Sequence, residues 1–207
     1  MPAEGGGVSG IVLAGGRSSR FGADKLAQTV GGEPLLHRAT RAVARAGDEV
    51  LVVVAHSGPL PALPEDLPVP IHTVRDDEPF GGPLAALAEG IARAEHPVAV
   101  VVGGDMPWLS PAVLSLLVDR LRSGPGDAAA LELDGRRQAL PFAIRGSALR
   151  EIRALLAAGD RSLSSLLGRT HAAAVEEPAW RALDPTGQTL ADVDVPGDLT
   201  AGGDRTA

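Results

Sequence analysis

Thirteen residues from Leu13 to Lys25, Leu-Ala-Gly-Gly-Arg-Ser-Ser-Arg-Phe-Gly-Ala-Asp-Lys, put three glycines, two arginines and a lysine directly behind a short apolar run. Glycine lets a backbone come close to a ligand and adopt positive φ, so that successive N–H groups can point at phosphate oxygens. Arg20 and Lys25 add side-chain charge to such a cradle. Lys25 is the only lysine among 19 basic residues, so its placement is not a by-product of a lysine-rich composition. The two common phosphate loops do not fit. G-x-x-x-x-G-K-[ST] needs lysine directly after its last glycine, where Ala23 and Asp24 intervene here, and G-x-G-x-x-G is not matched either. The plain alternative, a glycine-rich strand-to-helix connection, does not require the lone lysine or the arginines beside it.

A second feature follows the apolar run Pro97 to Gly103: Gly104-Asp105-Met106-Pro107 places a carboxylate at a strand end. A hard dication such as Mg²⁺ takes oxygen ligands, keeps several waters, and binds through one or two carboxylates plus substrate phosphates. Asp105 suits that role. The competing reading is a helix cap or turn aspartate, although Ser110 before Pro111 is better placed to cap the helix that follows. Asp76, with Asp77 beside it, precedes Gly81-Gly82-Pro83 in a third such loop.

Other reactive types offer less. Cysteine is absent, which excludes a thiolate metal site, a cysteine nucleophile and a disulfide framework. None of the five histidines (His37, His56, His72, His96, His171) has metal-ligand spacing with another, so solvated or half-buried roles are expected. Ser18 and Ser19 lack a G-x-S-x-G setting and read as hydrogen-bond donors in the loop. Trp108 either packs near this site or covers the core.

The formal charge of −7 gives no support to nucleic-acid binding and repels anionic ligands in general. Any phosphate site must therefore concentrate positive charge locally. No run of 18 apolar residues occurs, and Met1 to Gly7 lacks the basic cluster and apolar stretch of a signal peptide. The expectation is one soluble, cytoplasmic domain spanning residues 1–207, with no membrane association and with disordered ends at 1–7 and 202–207.

The elements that position these residues are legible from periodicity. Strands are predicted at Val8–Ala14, Glu49–Ala55, Ile71–Arg75, Pro97–Gly103, Ala128–Leu133 and Gln138–Ile144, the last two around an Asp134-Gly135 turn, with an edge strand at His171–Glu176. Helices are predicted from Pro34 to Gly47, from Pro83 to Glu95, from Pro111 to Arg122, over Ser147–Ala158 and Arg161–Leu167, and from Pro196 to Leu199. Strands that are apolar on both faces imply a mostly parallel sheet with helices on both sides, a three-layer α/β fold. In such sheets ligands sit beyond the carboxyl ends of the strands, where Gly15, Asp76 and Asp105 fall.

The string Leu13 to Lys25 resembles the signature of nucleotidyltransferases with the Rossmann-like, glycosyltransferase-A-like fold, and its Gly-Gly pair with Asp-Lys is most similar to the molybdenum cofactor guanylyltransferases. The resemblance extends in order through Gly32-Glu33-Pro34-Leu35, Gly82-Pro83-Leu84-Ala85, Gly104-Asp105-Met106-Pro107, Pro141-Phe142-Ala143, Gly159-Asp160-Arg161-Ser162-Leu163 and Asp192-Val193-Asp194-Val195-Pro196-Gly197-Asp198-Leu199, nearly the whole chain. It implies nucleotide contacts from Leu13, Ala14, Gly15, Gly16, Arg17, Ser18, Lys25, Asp76, Gly82 and Asp105, with Arg20, Lys25 and Asp105 as catalytic groups. It further implies Mg²⁺ on Asp105, with a second ligand from Asp194 or Asp192, where relatives carry an N-x-N-T-P-like string. Both aspartates could equally solvate a loop. Asp76 would accept from the guanine edge. Relatives often have asparagine where this chain has Ala55.

The implied reaction is GTP-dependent guanylylation of molybdopterin with release of pyrophosphate, in transient contact with enzymes of the molybdenum-cofactor pathway. CTP or a sugar 1-phosphate on the same scaffold is an alternative, as is a nucleotide-binding module without turnover. Fold and loop do not fix the acceptor.

Overall fold

The computed structural model describes residues 6–15, 25–57, 59–77 and 81–193. Its elements are β1 (Val8–Leu13), a 3-10 turn at Lys25–Ala27, β2 (Thr29–Val30), β3 (Glu33–Pro34), α1 (Leu35–Ala44), β4 (Glu49–Val54), β5 (Ile71–Arg75), α2 (Gly82–Arg93), β6 (Val98–Gly103), α3 (Pro111–Ser123), β7 (Ala128–Leu133), β8 (Arg136–Arg145), α4 (Leu149–Ala157), α5 (Leu163–Arg169), β9 (Ala173–Val175) and α6 (Glu177–Arg181). Seven strands form one sheet in the order β5-β4-β1-β6-β8-β7-β9. β1 pairs in parallel with both β4 and β6, β4 with β5, and β7 with β9, while β8 runs antiparallel to β6 and β7.

Every residue of β4 and β6 is buried, because successive side chains point to opposite faces and both faces are covered. On one face Val12, Val52, Val54, Val100 and Val102 pack against α1, α3 and Trp180 of α6. On the other, Ile11, Leu51, Val53 and Val101 pack against α2, α4 and α5. This is the expected three-layer sandwich. β4 and β5 are joined without a helix: the proline-rich stretch 59–70 lies across the α1 face, where Leu63, Leu67 and Val69 pack on the core. Its carbonyls are held from α1, with His37 Nε2 3.0 Å from Ala62 O and Arg41 donating to Asp66 O at 3.0 Å.

Several elements differ from expectation. The helix expected to open at Pro34 starts at Leu35, because Pro34 is paired to Thr29 in the β2–β3 hairpin, which the sequence reading missed. Gly31 and Gly32 supply φ of +60° and +82° for its two-residue turn. Ser147–Ala158 divides into a 3-10 turn at Gly146–Ala148 and α4. The helix expected from Arg161 begins at Leu163, capped by Ser162 Oγ accepting from the Ser165 N–H at 3.3 Å. α6 was not anticipated. The expected disorder of the ends and the helix from Pro196 fall largely on residues 1–5 and 194–207, outside those described.

Beyond α6 the chain folds around one buried carboxylate. Asp184 Oδ1 accepts from Thr186 Oγ1 at 2.9 Å and the Gly187 N–H at 3.1 Å, and Oδ2 from the Thr189 N–H at 2.7 Å. Burial alone would raise its pKa, but the N–H and hydroxyl of Thr189, the Thr186 hydroxyl and the Gln188 N–H hold it below the ordinary carboxylate range. A group with a depressed folded-state pKa contributes stability above its unfolded pKa, about 4, and loses it as pH falls through the folded value. Asp184→Ala is therefore expected to lower unfolding free energy at pH 7 by about 1.5–3 kcal/mol, the range for hydrogen bonds to a charged group. In urea titrations the gap to wild type should narrow below pH 4, and an equal gap at pH 7 and pH 3 would refute the charge argument.

Candidate functional site

Strand order reverses between β1 and β6. β1 leads by α1 to β4 on one side, and the chain returns through α2 to place β6 on the other. The main-chain peptides flanking the reversal are not covered by a crossover, so a crevice opens at the carboxyl ends of these two strands. Leu13 and Gly103 end them as register partners. The loops beyond are those that carry Gly15 and Asp105.

The loop after β1 is tied at its root. Ala14 donates to Val53 O at 2.8 Å and Leu13 O accepts from the Gly104 N–H at 3.0 Å. A Cβ on Gly15 would stand 3.3 Å from the Ala55 backbone nitrogen, so the chain leaves the sheet pressed against β4's end. Gly16, Arg17, Ser18 and Arg20 lie outside the described residues. The Lys25 carbonyl accepts from the Gln28 N–H at 3.1 Å, while the Gln28 carbonyl accepts from the Leu35 N–H at 2.8 Å. That chain of bonds fixes the lysine's backbone to the first turn of α1.

Lys25 Nζ lies 2.7 Å from Asp105 Oδ2, with the two side chains 13% and 31% exposed. Eighty residues apart in sequence, the lone lysine and the strand-end carboxylate meet across the reversal. Asp105 does not cap a helix. Ser110 holds the N-cap position of α3 as expected, but its side chain makes no capping bond; its N–H donates instead to Thr189 Oγ1 at 3.1 Å.

The Asp105 loop is braced from three sides. The Val193 N–H donates to Asp105 O at 3.0 Å, Arg38 Nε of α1 donates to Pro107 O at 3.0 Å, and Thr189 receives Ser110. Beneath it, Trp108 packs on the buried trio Val30, Leu35 and Val193, so this tryptophan sits beside the Asp105 loop. A Cβ on Gly103 would come 2.6 Å from Asp105 Oδ1, which explains glycine at the end of an otherwise branched strand. Asp194, the expected second metal ligand, lies outside the described residues, but its neighbour Val193 is delivered to Asp105's own carbonyl. The sequence reading missed Thr189, Asp184 and Arg38 as supports. The one available signal was Asp184-Pro185-Thr186-Gly187, a turn string whose Gly187 takes φ +71°.

Asp76 ends the crevice on the β5 side. Its side chain is largely buried, its N–H donates to Val54 O at 2.9 Å, and its carbonyl lies 3.1 Å from His56 Nδ1. Asp77 is exposed, 3.9 Å from an Arg93 guanidinium nitrogen. Gly82 has φ +79°, and a Cβ there would meet Arg161 Cβ at 3.2 Å, which brings the Gly82-Pro83 turn against the Gly159–Leu163 segment. Among the described residues no group of three or more His, Asp or Glu could hold a metal alone, and no helix is long and apolar enough to cross a membrane.

Comparison with known proteins gives a consistent result. The profile of a family described as "MobA-like NTP transferase domain" matches residues 10–175. A probable molybdenum cofactor guanylyltransferase of Chloroflexus aggregans is 35% identical over 198 residues, 93% of this chain and 91% of the relative. One from Mycobacterium avium is 33% identical over 199 residues, 94% of each. In fold, the chain is similar to molybdopterin-guanine dinucleotide biosynthesis protein A of Archaeoglobus fulgidus, with a TM-score of 0.73, 19% identity, and coverage of 93% of this chain and 95% of that one.

Proposed function

This chain belongs to the MobA-like NTP transferases, and from that premise we propose that it transfers GMP from GTP to the phosphate of molybdopterin, releasing pyrophosphate. The observation that carries the reading is the meeting of Lys25 and Asp105 at the strand-order reversal, 2.7 Å apart. A single-lysine protein of net charge −7 there sets its one ammonium against a strand-end carboxylate, at the place where the fold admits a nucleotide.

The acceptor's phosphate oxygen attacks the α-phosphorus, a new P–O–P bond forms, and the bond to the β-phosphate breaks, so pyrophosphate leaves. A phosphate monoester has a second pKa of about 6 and is mostly ionised at neutral pH, so no strong general base is needed. This fits a crevice without a catalytic histidine pair. What remains is to hold two anions together and to neutralise charge on the leaving group. In this reading Lys25 binds the β- and γ-phosphates with Arg20 and the amides of Gly15 and Gly16, Leu13 and Ala14 anchor that loop, and Arg17 and Ser18 add contacts. Gly82 contacts the nucleotide through its backbone, and Asp76 accepts from the guanine edge.

The donors also fit Mg²⁺: one oxygen-bearing side chain, too few protein ligands for an all-protein cage, and phosphates to complete the shell. Asp105 would hold the ion, with Asp194 as the second protein ligand. When bound, the ion supplies charge neutralisation at phosphate oxygens. The reading carries a cytoplasmic setting and transient contact with molybdenum-cofactor enzymes.

Pyrophosphate release, assayed over GTP, CTP and ATP against molybdopterin and a panel of sugar 1-phosphates, tests this. Release with GTP and molybdopterin alone is expected. Release with CTP, or with a sugar phosphate only, would reassign the substrates, and no release with any pair would leave a nucleotide-binding module.

A further inference from the structure

We propose that Lys25 and Asp105 form an interlock that makes divalent-metal binding depend on nucleotide binding. The inference rests on the metal role of Asp105 given above and adds to it an order of assembly.

Asp105 offers two oxygens. Oδ1 is turned back against its own strand end, at the point where a Cβ on Gly103 would stand only 2.6 Å away. Oδ2 is bonded to Lys25 Nζ at 2.7 Å. A hydrated dication approaching this carboxylate thus meets a cation of this chain already bonded to it. The two side chains are 13% and 31% exposed, so water screens the contact only in part and a second positive charge arriving at the carboxylate is repelled. No cluster of three acidic or histidine groups among the described residues offers the ion another foothold. One carboxylate already bonded to an ammonium competes weakly with bulk water for Mg²⁺, which dehydrates reluctantly.

A triphosphate changes both sides of the contact together. It gives the ammonium a stronger anionic partner and gives the dication the oxygen ligands that the protein lacks. The lysine can make that exchange without refolding. Its backbone is pinned through Gln28 to Leu35, while the ammonium sits at the end of a flexible four-carbon stem that can reach more than one position. Asp105 stays in place, because its loop is held by Val193, Arg38 and Thr189. The metal and the nucleotide then favour one another by the same factor, as linkage requires. Lys25 therefore has two duties: phosphate ligand with nucleotide bound, and stand-in cation for Asp105 without it.

The test is Mn²⁺ binding followed by the electron paramagnetic resonance of free and protein-bound ion, in wild type, Lys25→Gln, Lys25→Arg and Lys25→Gln/Asp105→Asn, each checked for folding by circular dichroism. Without nucleotide, Lys25→Gln is expected to bind Mn²⁺ at least tenfold more tightly than wild type, although it loses turnover. Lys25→Arg, which keeps the charge, should show no such gain, and Asp105→Asn should abolish it. Adding GTP without acceptor should produce protein-bound Mn²⁺ in wild type. If wild type with GTP binds Mn²⁺ through Asp105 but Lys25→Gln gains nothing, the interlock is wrong and the metal role stands. If no Asp105-dependent signal occurs in any protein, with or without GTP, both are wrong.

Discussion

Asp105→Ala is expected to lower kcat/KM for pyrophosphate release by roughly 10² to 10³, the loss of about 2.7 to 4 kcal/mol that follows removal of one preorganised electrostatic contact in a transition state. The melting temperature should move little. The carboxylate is about a third exposed and its partner ammonium can turn to water, so no strongly desolvated charge is orphaned. The loop keeps its shape without the side chain, because the bonds that brace it use the backbone of residues 105, 107 and 110. Steady-state kinetics with a thermal melt decide the matter. Near-wild-type turnover would remove Asp105 from the reaction, and collapse of the fold would show that its role is structural.

Trp180→Ala should do the reverse. The ring is fully buried, its Nε1–H donates to Glu132 O at 3.0 Å, and the Arg181 guanidinium lies 4.6 Å from its centroid. Truncating a buried tryptophan costs about 3–5 kcal/mol through lost transfer energy and the cavity left behind. That is a large part of the roughly 5–15 kcal/mol that holds a domain together. At about 2–4 °C per kcal/mol for a chain of this size, the melting point should fall by roughly 10 °C. Turnover per folded molecule should survive, because α6 packs on β7, which lies two strands along the sheet from β6. Lost activity with an unchanged melting point would mean that Trp180 serves the site.

The two variants separate what was legible in the sequence from what was not. The strands at the crevice could be read because each is a short β-branched run, two of them closed by glycine, and those runs became β1, β4 and β6 with one end of each shifted by one residue. Their order could not be read: nothing local in Val98–Gly103 says that it lies beside Val8–Leu13 rather than beside β5. Lys25 stood out by being the only residue of its type and Asp105 by its place at a strand end. Their contact needed the sheet order. Asp76 falls just beyond the carboxyl end of β5, as expected, and is buried, while Gly82 opens α2 at positive φ. The braces were invisible for a different reason. Thr189 and Arg38 act through single long-range bonds to backbone groups, and such bonds leave no periodicity. The β2–β3 hairpin was missed because its strands are two residues long, below the length at which alternation can be seen, although Gly31-Gly32 was a signal for its turn.

The far reach of those braces bears on how the protein is made. Synthesis runs from the first residue to the last, and domains acquire structure as they emerge. A nascent chain that has just produced β6 already holds both Lys25 and Asp105, but the partners that fasten the Asp105 loop, Thr189 and Val193, are separated from it by 79 or more further residues. Until they arrive, the Asp105 loop has only its Arg38 brace, so the seat of the charged pair is completed well after the central strands of the sheet have been made.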